Sequence, residues 1–451
     1  MQYVVGVLLL ICFFGLIVYA LKGGNLMFGI LIMAVLWTAI PLIGNQLVTD
    51  PAFIAANADV INVGFKDTIT KVFQSSPENW GKVLVTFIFG AWFGRVMLDT
   101  GIASAIIRKT VELGGDRPGI TAALLYIVTA AIFTSMFGAG AVVAIGIIVL
   151  PILLSLGIPK ILALISYMLA IGAGFYINPV GFAQYQVYYL DAAGNNTVFY
   201  DMTYLKWGFI ALGIQLVVAV LFTCVQLRGK KAVHAWAAQA TMPEETKHVP
   251  GIALITPFVP VILTIAFNWP IILGFLMAAF FAMAVCGEMK TYKDTVRMFS
   301  KTFFDGVVDT APLVGISALI PMFNAASALC VPYFQALLGN VVPSSTLIIC
   351  IVFMVIAPLG LFRGPLTLAG AGAATLGILK SLGFSNTFLF PLMYAPTVTM
   401  NISCCITQSW IVWGLTYTNV DGRDFLKRTI PTGWIICAIL AALTFVMFGN
   451  V

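Results

Sequence analysis

Apolar stretches close to the length of a bilayer crossing recur from one end of this chain to the other. A helix needs about 20 apolar residues to cross the hydrocarbon core. Residues 2–21, 26–44, 81–98, 205–227, 251–268, 270–287, 303–324 and 431–449 meet that need with few charges. A soluble fold of 451 residues has too little interior to hide a chain that is 61% apolar and only 9% charged, so lipid must cover part of its surface. The expected fold is all-α and polytopic. The first apolar run has no basic residue before it and Lys22 after it, so it reads as a retained transmembrane helix rather than a cleaved signal peptide.

Four further apolar runs, 119–157, 161–189, 344–383 and 387–416, are too long for one crossing each, and glycine, proline and polar residues interrupt them near their middles. Charge placement decides how they run, because Lys and Arg collect at cytoplasmic ends. Lys22, Arg108, Lys109, Arg117, Lys160, Arg228, Lys230, Lys231, Lys290, Lys293, Arg297, Lys301, Arg423, Lys427 and Arg428 mark the inside. The acidic segment 46–79 and the segment 190–204, with Asp191 and Asp201, mark the outside. With Arg117 and Lys160 both inside, 119–157 must enter and leave on one side, as a re-entrant hairpin turning at Phe137-Gly138-Ala139-Gly140. By the same count 344–383 is a hairpin from the outside, turning at Phe362-Arg363-Gly364-Pro365. About ten transmembrane helices, two hairpins and two unwound helices result, in a cytoplasmic (inner) membrane with both termini outside.

The parts come in the same order twice. Residues 1–227 and 250–451 each hold helices, a hairpin, an interrupted helix and a last helix, joined by a solvated cytoplasmic linker, 228–249. Each half crosses an odd number of times, so the second is inverted relative to the first. Ile152-Leu153-Leu154-Ser155-Leu156-Gly157 is echoed by Ile378-Leu379-Lys380-Ser381-Leu382-Gly383, and Gly90, Met97 and Ala103 by Gly315, Met322 and Ala328. Inverted repeats with broken helices are a usual construction of secondary transporters.

Arg363 is the most informative residue. An arginine at bilayer depth costs about 2.5 to more than 10 kcal/mol, so it must face protein or a water-filled cavity. Beside Gly364 and Pro365 it sits where backbone amides are free, and a guanidinium fork with free amides suits a carboxylate. The alternative is a turn near the interface, with Arg363 snorkelling or paired to an aspartate. Gly138 and Gly140 allow close approach of a ligand or ion, or tight helix packing. In the broken helices Asn178 and Gln184, then Asn401, Ser403, Thr407 and Gln408, put amides and hydroxyls where a span should be apolar. Such groups coordinate sodium or a substrate, or else bond between helices.

Asp305 and Asp309, one helical turn apart, are candidates for a coupling proton or cation, or form an interfacial pair neutralised by Lys301 or Arg297. Arg95 and Asp99 read as a local ion pair at i,i+4. No histidine lies in a span, since His234 and His248 share the linker, and this excludes a histidine proton relay. The eight cysteines form no metal or disulfide pattern and read as packing residues. No intramembrane Ser-Lys pair, histidine or metal cluster supports an enzyme. No cofactor is expected beyond Na+ or H+ as coupling ion, and no nucleic-acid partner.

The stretch Phe89-Gly90-Ala91-Trp92-Phe93-Gly94-Arg95-Val96-Met97-Leu98-Asp99-Thr100-Gly101-Ile102-Ala103, followed by a hairpin and Leu156-Gly157-Ile158-Pro159, resembles the gluconate permease and citrate–proton symporter group of the ion-transporter superfamily. The resemblance implies scaffold helices, two hairpins and two unwound helices, a homodimer, and elevator-like alternating access. It places connecting arms at 101–115 and 326–340. The superfamily's Ser-Asn-Thr hairpin tip is absent at Phe137-Gly138-Ala139-Gly140. The expected activity is coupled transport of a small organic anion such as a sugar acid, citrate or a dicarboxylate. Sodium/proton antiport on the same fold is the alternative.

Overall fold

A computed structural model describes residues 1–22, 24–115, 118–190, 195–227, 249–338 and 345–450. The expected linker, apart from Val249, lies outside the described residues, as do Asp191, Arg117 and the last two residues of the second expected arm. The described residues form helices and no strand, with one isolated bridge between Leu190 and Asn196.

The first half opens with α1 (Gln2–Leu21) and α2 (Leu26–Leu47), the latter capped by the Asn25 side chain on the Phe28 amide. The acidic segment expected outside is a series of short helical turns, beginning at Pro51 under an Asp50 cap and ending at Asn79. Next come α3 (Gly81–Asp99), α4 (Ile102–Gly114), α5 (Pro118–Phe133) and α6 (Ala139–Ser155). They are followed by α7 (Lys160–Phe175), α8 (Pro179–Gln186) and α9 (Met202–Leu227). The second half contains α10 (Val259–Phe267), α11 (Ile271–Val285), α12 (Tyr292–Leu338), α13 (Thr346–Ile356) and α14 (Gly372–Ser381). It closes with α15 (Asn386–Pro396), a π-helical segment Thr397–Ser403, α16 (Ser409–Thr418) and α17 (Gly422–Phe448).

Among the described residues, six helical runs are long and apolar enough to cross a membrane: Gln2–Tyr19, Met27–Leu47, Phe65–Asp99, Met202–Gln226, Thr346–Arg363 and Gly422–Phe448. The α7–α8 pair is a further broken span, bent by 70°. The expected crossings 251–268 and 270–287 appear as shorter apolar helices, Gly251–Phe267 and Ile271–Val285. The outer faces match a lipid solvent. Val4, Leu8, Ile11, Phe14 and Val18 of α1 are exposed in a helical stripe, as are Val217, Leu221 and Val225 of α9. Apolar stripes of this extent need a non-aqueous neighbour.

The stretch 119–157, expected as a hairpin, contains α5 and α6 separated at residues 134–138, with Gly138 at φ 100°. The stretch 344–383, also expected as a hairpin, contains α13 and α14, separated by a 3-10 turn and residues 364–371. One expectation is corrected. The helix 303–324 and the arm 326–340 are not separate, because α12 runs unbroken through both. In the first half the corresponding break lies at Gly101, which adopts the left-handed conformation at φ 79°. The repeat offset that matches Gly90 to Gly315 puts Ala326 at that place, and a Cβ makes the left-handed turn costly.

The halves are interleaved. α2 packs on α12, and reciprocally α11 packs on α3. α3 and α12 touch backbone to backbone, since a Cβ on Gly306 would stand 2.7 Å from the Trp92 nitrogen, and the Trp92 indole donates to Thr302 at 3.0 Å. The most enclosed elements are the two broken helices. Every residue from Leu162 to Phe175 is buried, as is every residue from Phe388 to Ser403.

Candidate functional site

The two helix breaks are tied to each other. The Tyr394 hydroxyl donates to the Phe175 carbonyl at 2.9 Å, and Tyr176 and Thr399 share a hydroxyl bond of 2.6 Å. Gly172 lets the π-helical segment approach α7, for a Cβ there would overlap the Ser403 hydroxyl. Gln215 of α9 completes the join. Its amide nitrogen donates to Leu169 O at 2.8 Å and Ser403 Oγ at 3.2 Å, and its oxygen accepts from Thr399 at 2.7 Å. Ser403 therefore faces helix packing. Gln215 was not singled out in the sequence, although it is an isolated amide in an apolar run.

Each hairpin tip rests on the broken helix of its own half. Asn178 does this in the first half. Its amide donates to Phe133 O and Met136 O, and its oxygen accepts from Val180 N and Gly181 N, all at 2.9 Å. One side chain thus caps α8 and fastens the tip of the α5–α6 hairpin, using its two donors and both acceptor positions. In the second half Leu368 N donates to Thr397 Oγ1 at 3.0 Å and Phe362 N to Cys405 Sγ at 3.1 Å. Asn401 lies four residues beyond Thr397. It is fully buried, and neither its amide nitrogen nor its oxygen has a hydrogen-bond partner. The buried Thr367 hydroxyl, next to Leu368 in the tip, also lacks one. Buried polar groups are normally satisfied, which sets Asn401 and Thr367 apart from the fully bonded Asn178.

Arg363 stands at the same tip. Phe362 and Arg363 both have positive φ, 54° and 58°, a left-handed pair that costs roughly 1–2 kcal/mol per residue. The Arg363 carbonyl accepts from Ala371 N at 3.0 Å, closing the turn. Gly364 follows, buried, with its amide on Leu361 O at 2.9 Å. The half-buried Arg363 guanidinium makes no ion pair or hydrogen bond among the described residues. Its charge lies within electrostatic reach of the phenols of Tyr185 and Tyr188, in the last turns of the first broken helix. The Tyr188 hydroxyl is buried and unpartnered. These tyrosines escaped the sequence reading, although Tyr185-Gln186-Val187-Tyr188-Tyr189 concentrates phenols in a helix that is otherwise apolar.

The first tip is occupied differently. The ideal Cβ position of Gly140 lies 2.6 Å from Asp309 Oδ1, so the Asp309 carboxylate abuts the first turn of α6, where backbone amides point outward. Arg95 holds both oxygens of that carboxylate, at 2.5 and 2.6 Å. The expected local pair Arg95–Asp99 is thereby corrected. Asp99 instead takes Lys301 at 2.5 Å, which holds the Lys301 ammonium above its ordinary range. Arg297 pairs with Asp294, at 3.8 Å. The half-buried Asp305 feels the charges of Arg95 and Lys301. Helix crossing brings Arg95 to a carboxylate in the other half, which local spacing cannot reveal.

The remaining candidates are scattered. Gln184 and Gln408 are buried. Thr407 is exposed and bonds Cys405 Sγ at 3.0 Å. No group of three or more His, Cys, Asp or Glu residues able to hold a metal ion occurs among the described residues.

No protein-family model matches the chain, and no curated protein does. Among solved structures it is similar to the YdaH transporter of Alcanivorax borkumensis, whose crystal structure shows an unusual topology, with a TM-score of 0.56 and 15% identity over 93% of this chain and 99% of that chain. At that identity the likeness concerns the fold. The chain is a multi-pass, all-helical membrane protein with a fold found in a transporter.

Proposed function

We propose that this protein is a secondary active transporter that carries a small organic anion across a cytoplasmic membrane, coupled to protons or sodium. The observation that carries the reading is Arg363. A guanidinium held at a strained turn, half-buried and without an acidic partner among the described residues, suits an anion from outside the protein. A carboxylate suits it, because the guanidinium fork matches both oxygens. The unpartnered Tyr188 hydroxyl supplies a further donor. Asn401 and Thr367 offer unpartnered oxygens for a coupling cation. The resemblance to gluconate permeases and citrate–proton symporters points the same way. In the elevator motion that it implies, the hairpins and broken helices would move as one body past α1–α3 and α10–α12, within a homodimer.

Uptake of labelled carboxylates into proteoliposomes, with sodium and pH gradients varied separately, tests the reading. Arg363→Ala should abolish uptake while the protein stays folded. Unchanged uptake in that variant removes Arg363 as the anchor. Sodium/proton antiport is the second reading, and the half-buried Asp305, with no ion pair among the described residues, favours it. A sodium gradient that moved protons while no carboxylate was carried would decide for antiport.

A further inference from the structure

An apolar cavity of about 470 Å³ opens between α5, α9 and α10. Ile127 and Ala131 of α5, Phe209 and Leu212 of α9, and Val261 and Ile262 of α10 line it. Its one polar side chain, Thr134, turns its hydroxyl onto the Ala131 carbonyl at 2.7 Å. Water finds no partner in such a place. Ile127, Phe209 and Ile262 are exposed, so the cavity opens on the outer surface of the helices, where lipid lies. A helix is about 10–12 Å across and would fill this volume in about one turn, so a helix of a partner chain does not fit in it. A single slender hydrocarbon chain does.

An exposed apolar track leads to this cavity from a positive charge. A 3-10 helix, Gly251–Phe258, runs into α10. Side chains three apart eclipse in such a helix, and Ile252, Ile255 and Phe258 are all exposed, at 65%, 48% and 42%. Phe258 lines the cavity. At the other end the Lys109 ammonium lies 3.8 Å from the ideal Cβ position of Gly251. Gly251 to Phe258 spans about 14 Å at 2.0 Å per residue, close to half of a hydrocarbon core about 30 Å thick. Lys109 belongs to α4, which buries Ile107 and Val111 and presents Lys109 to the outside. Leu113, one turn on and on the same face, is 81% exposed. A free leucine beside a lysine suits the boundary between headgroups and acyl chains. Lys109 makes no ion pair among the described residues, and Glu112, the nearest acid in the sequence, does not take it.

A cation, an apolar track and a dry-walled cavity, in that order, match the shape of one amphiphile. We propose that this crevice is a binding site for an anionic phospholipid, with its phosphate at Lys109 and one acyl chain lying along Ile252, Ile255 and Phe258 into the cavity. The chain end would then fill the gap between α5 and α10, elements from the two halves of the protein.

Photolabelling in nanodiscs tests this, with phosphatidylglycerol or phosphatidylcholine carrying a diazirine near the end of one acyl chain and the crosslinked peptides mapped. Phosphatidylglycerol should label 127–134 and 258–266 well above the ordinary lipid face of α1, and about fivefold more than phosphatidylcholine does, the worth of one basic residue at a membrane surface. Lys109→Gln should bring the two lipids to equal labelling, while Lys109→Arg keeps the difference. Ala131→Phe, which fills the cavity, should remove the label from both segments. Equal wild-type labelling by the two lipids overturns the proposal, and so does labelling of these segments no stronger than that of α1. Those wild-type comparisons decide even if a variant fails to fold. Unchanged labelling in folded Ala131→Phe protein overturns it as well.

Discussion

Arg95 grips both carboxylate oxygens of Asp309, in the other half of the chain, and that carboxylate abuts Gly140 at the tip of the first hairpin. The pair joins α3 to α12 and sets a negative charge against the first turn of α6, where a helix terminus favours it. Both side chains are shielded, at 28% and 14% exposure. A double-mutant cycle with Arg95→Ala and Asp309→Ala should give a coupling energy of about 1–3 kcal/mol in thermal or denaturant unfolding in detergent. A coupling below about 0.5 kcal/mol would show independent sites and rule out the pair as a tie between the halves.

Gly140→Ala tests the same contact from the hairpin side. The added methyl would stand 2.6 Å from an oxygen that Arg95 holds in place, so carboxylate or tip must shift. Stability should fall by about 1–3 kcal/mol, as overpacking does. In an Asp309→Ala background the same substitution should cost little. Equal cost in both backgrounds would assign the strain to the turn itself.

Asn178 and Asn401 occupy matching places but should respond in opposite ways. Asn178→Ala leaves two carbonyls and two amides without their partner and should cost about 2–4 kcal/mol. Asn401→Ala removes an amide that bonds to nothing. It should leave stability within about 1 kcal/mol or raise it, while reducing transport. Unfolding midpoints measured beside uptake separate the two. Loss of stability at Asn401 with transport intact would make it a packing residue.

The orientation can be read with single exposed cysteines. Phe65→Cys and Tyr292→Cys replace side chains that are 68% and 86% exposed. A membrane-impermeant maleimide should label the first in intact cells and the second only after permeabilisation. Labelling of both from one side would refute the expected topology.

The sequence by itself determined the membrane class and where the apolar runs lie and are interrupted. These follow from local causes. Apolar run length sets what can lie in lipid. Pro179 removes a backbone donor where the first broken helix restarts, and Pro396 stands where α-helix gives way to π-helix, while Gly138 supplies a positive φ before α6. The continuity of α12 is an intermediate case, because the missing glycine at Ala326 was visible but its consequence was not.

Only the tertiary structure decided who pairs with whom. Arg95 had an acid one turn away in Asp99, yet it takes Asp309, 214 positions distant, while Asp99 takes Lys301. Asn178 and Asn401 read alike in the sequence, but one is fully bonded and the other is not. Lys380 entered the sequence reading only as part of a repeat echo, but packing sets it on the Tyr188 carbonyl and over the Tyr189 ring. The reason is common to all three. Whether a buried polar or charged group is satisfied depends on atoms within about 3 Å of it, and in an interleaved helical fold those atoms come from the distant half of the chain.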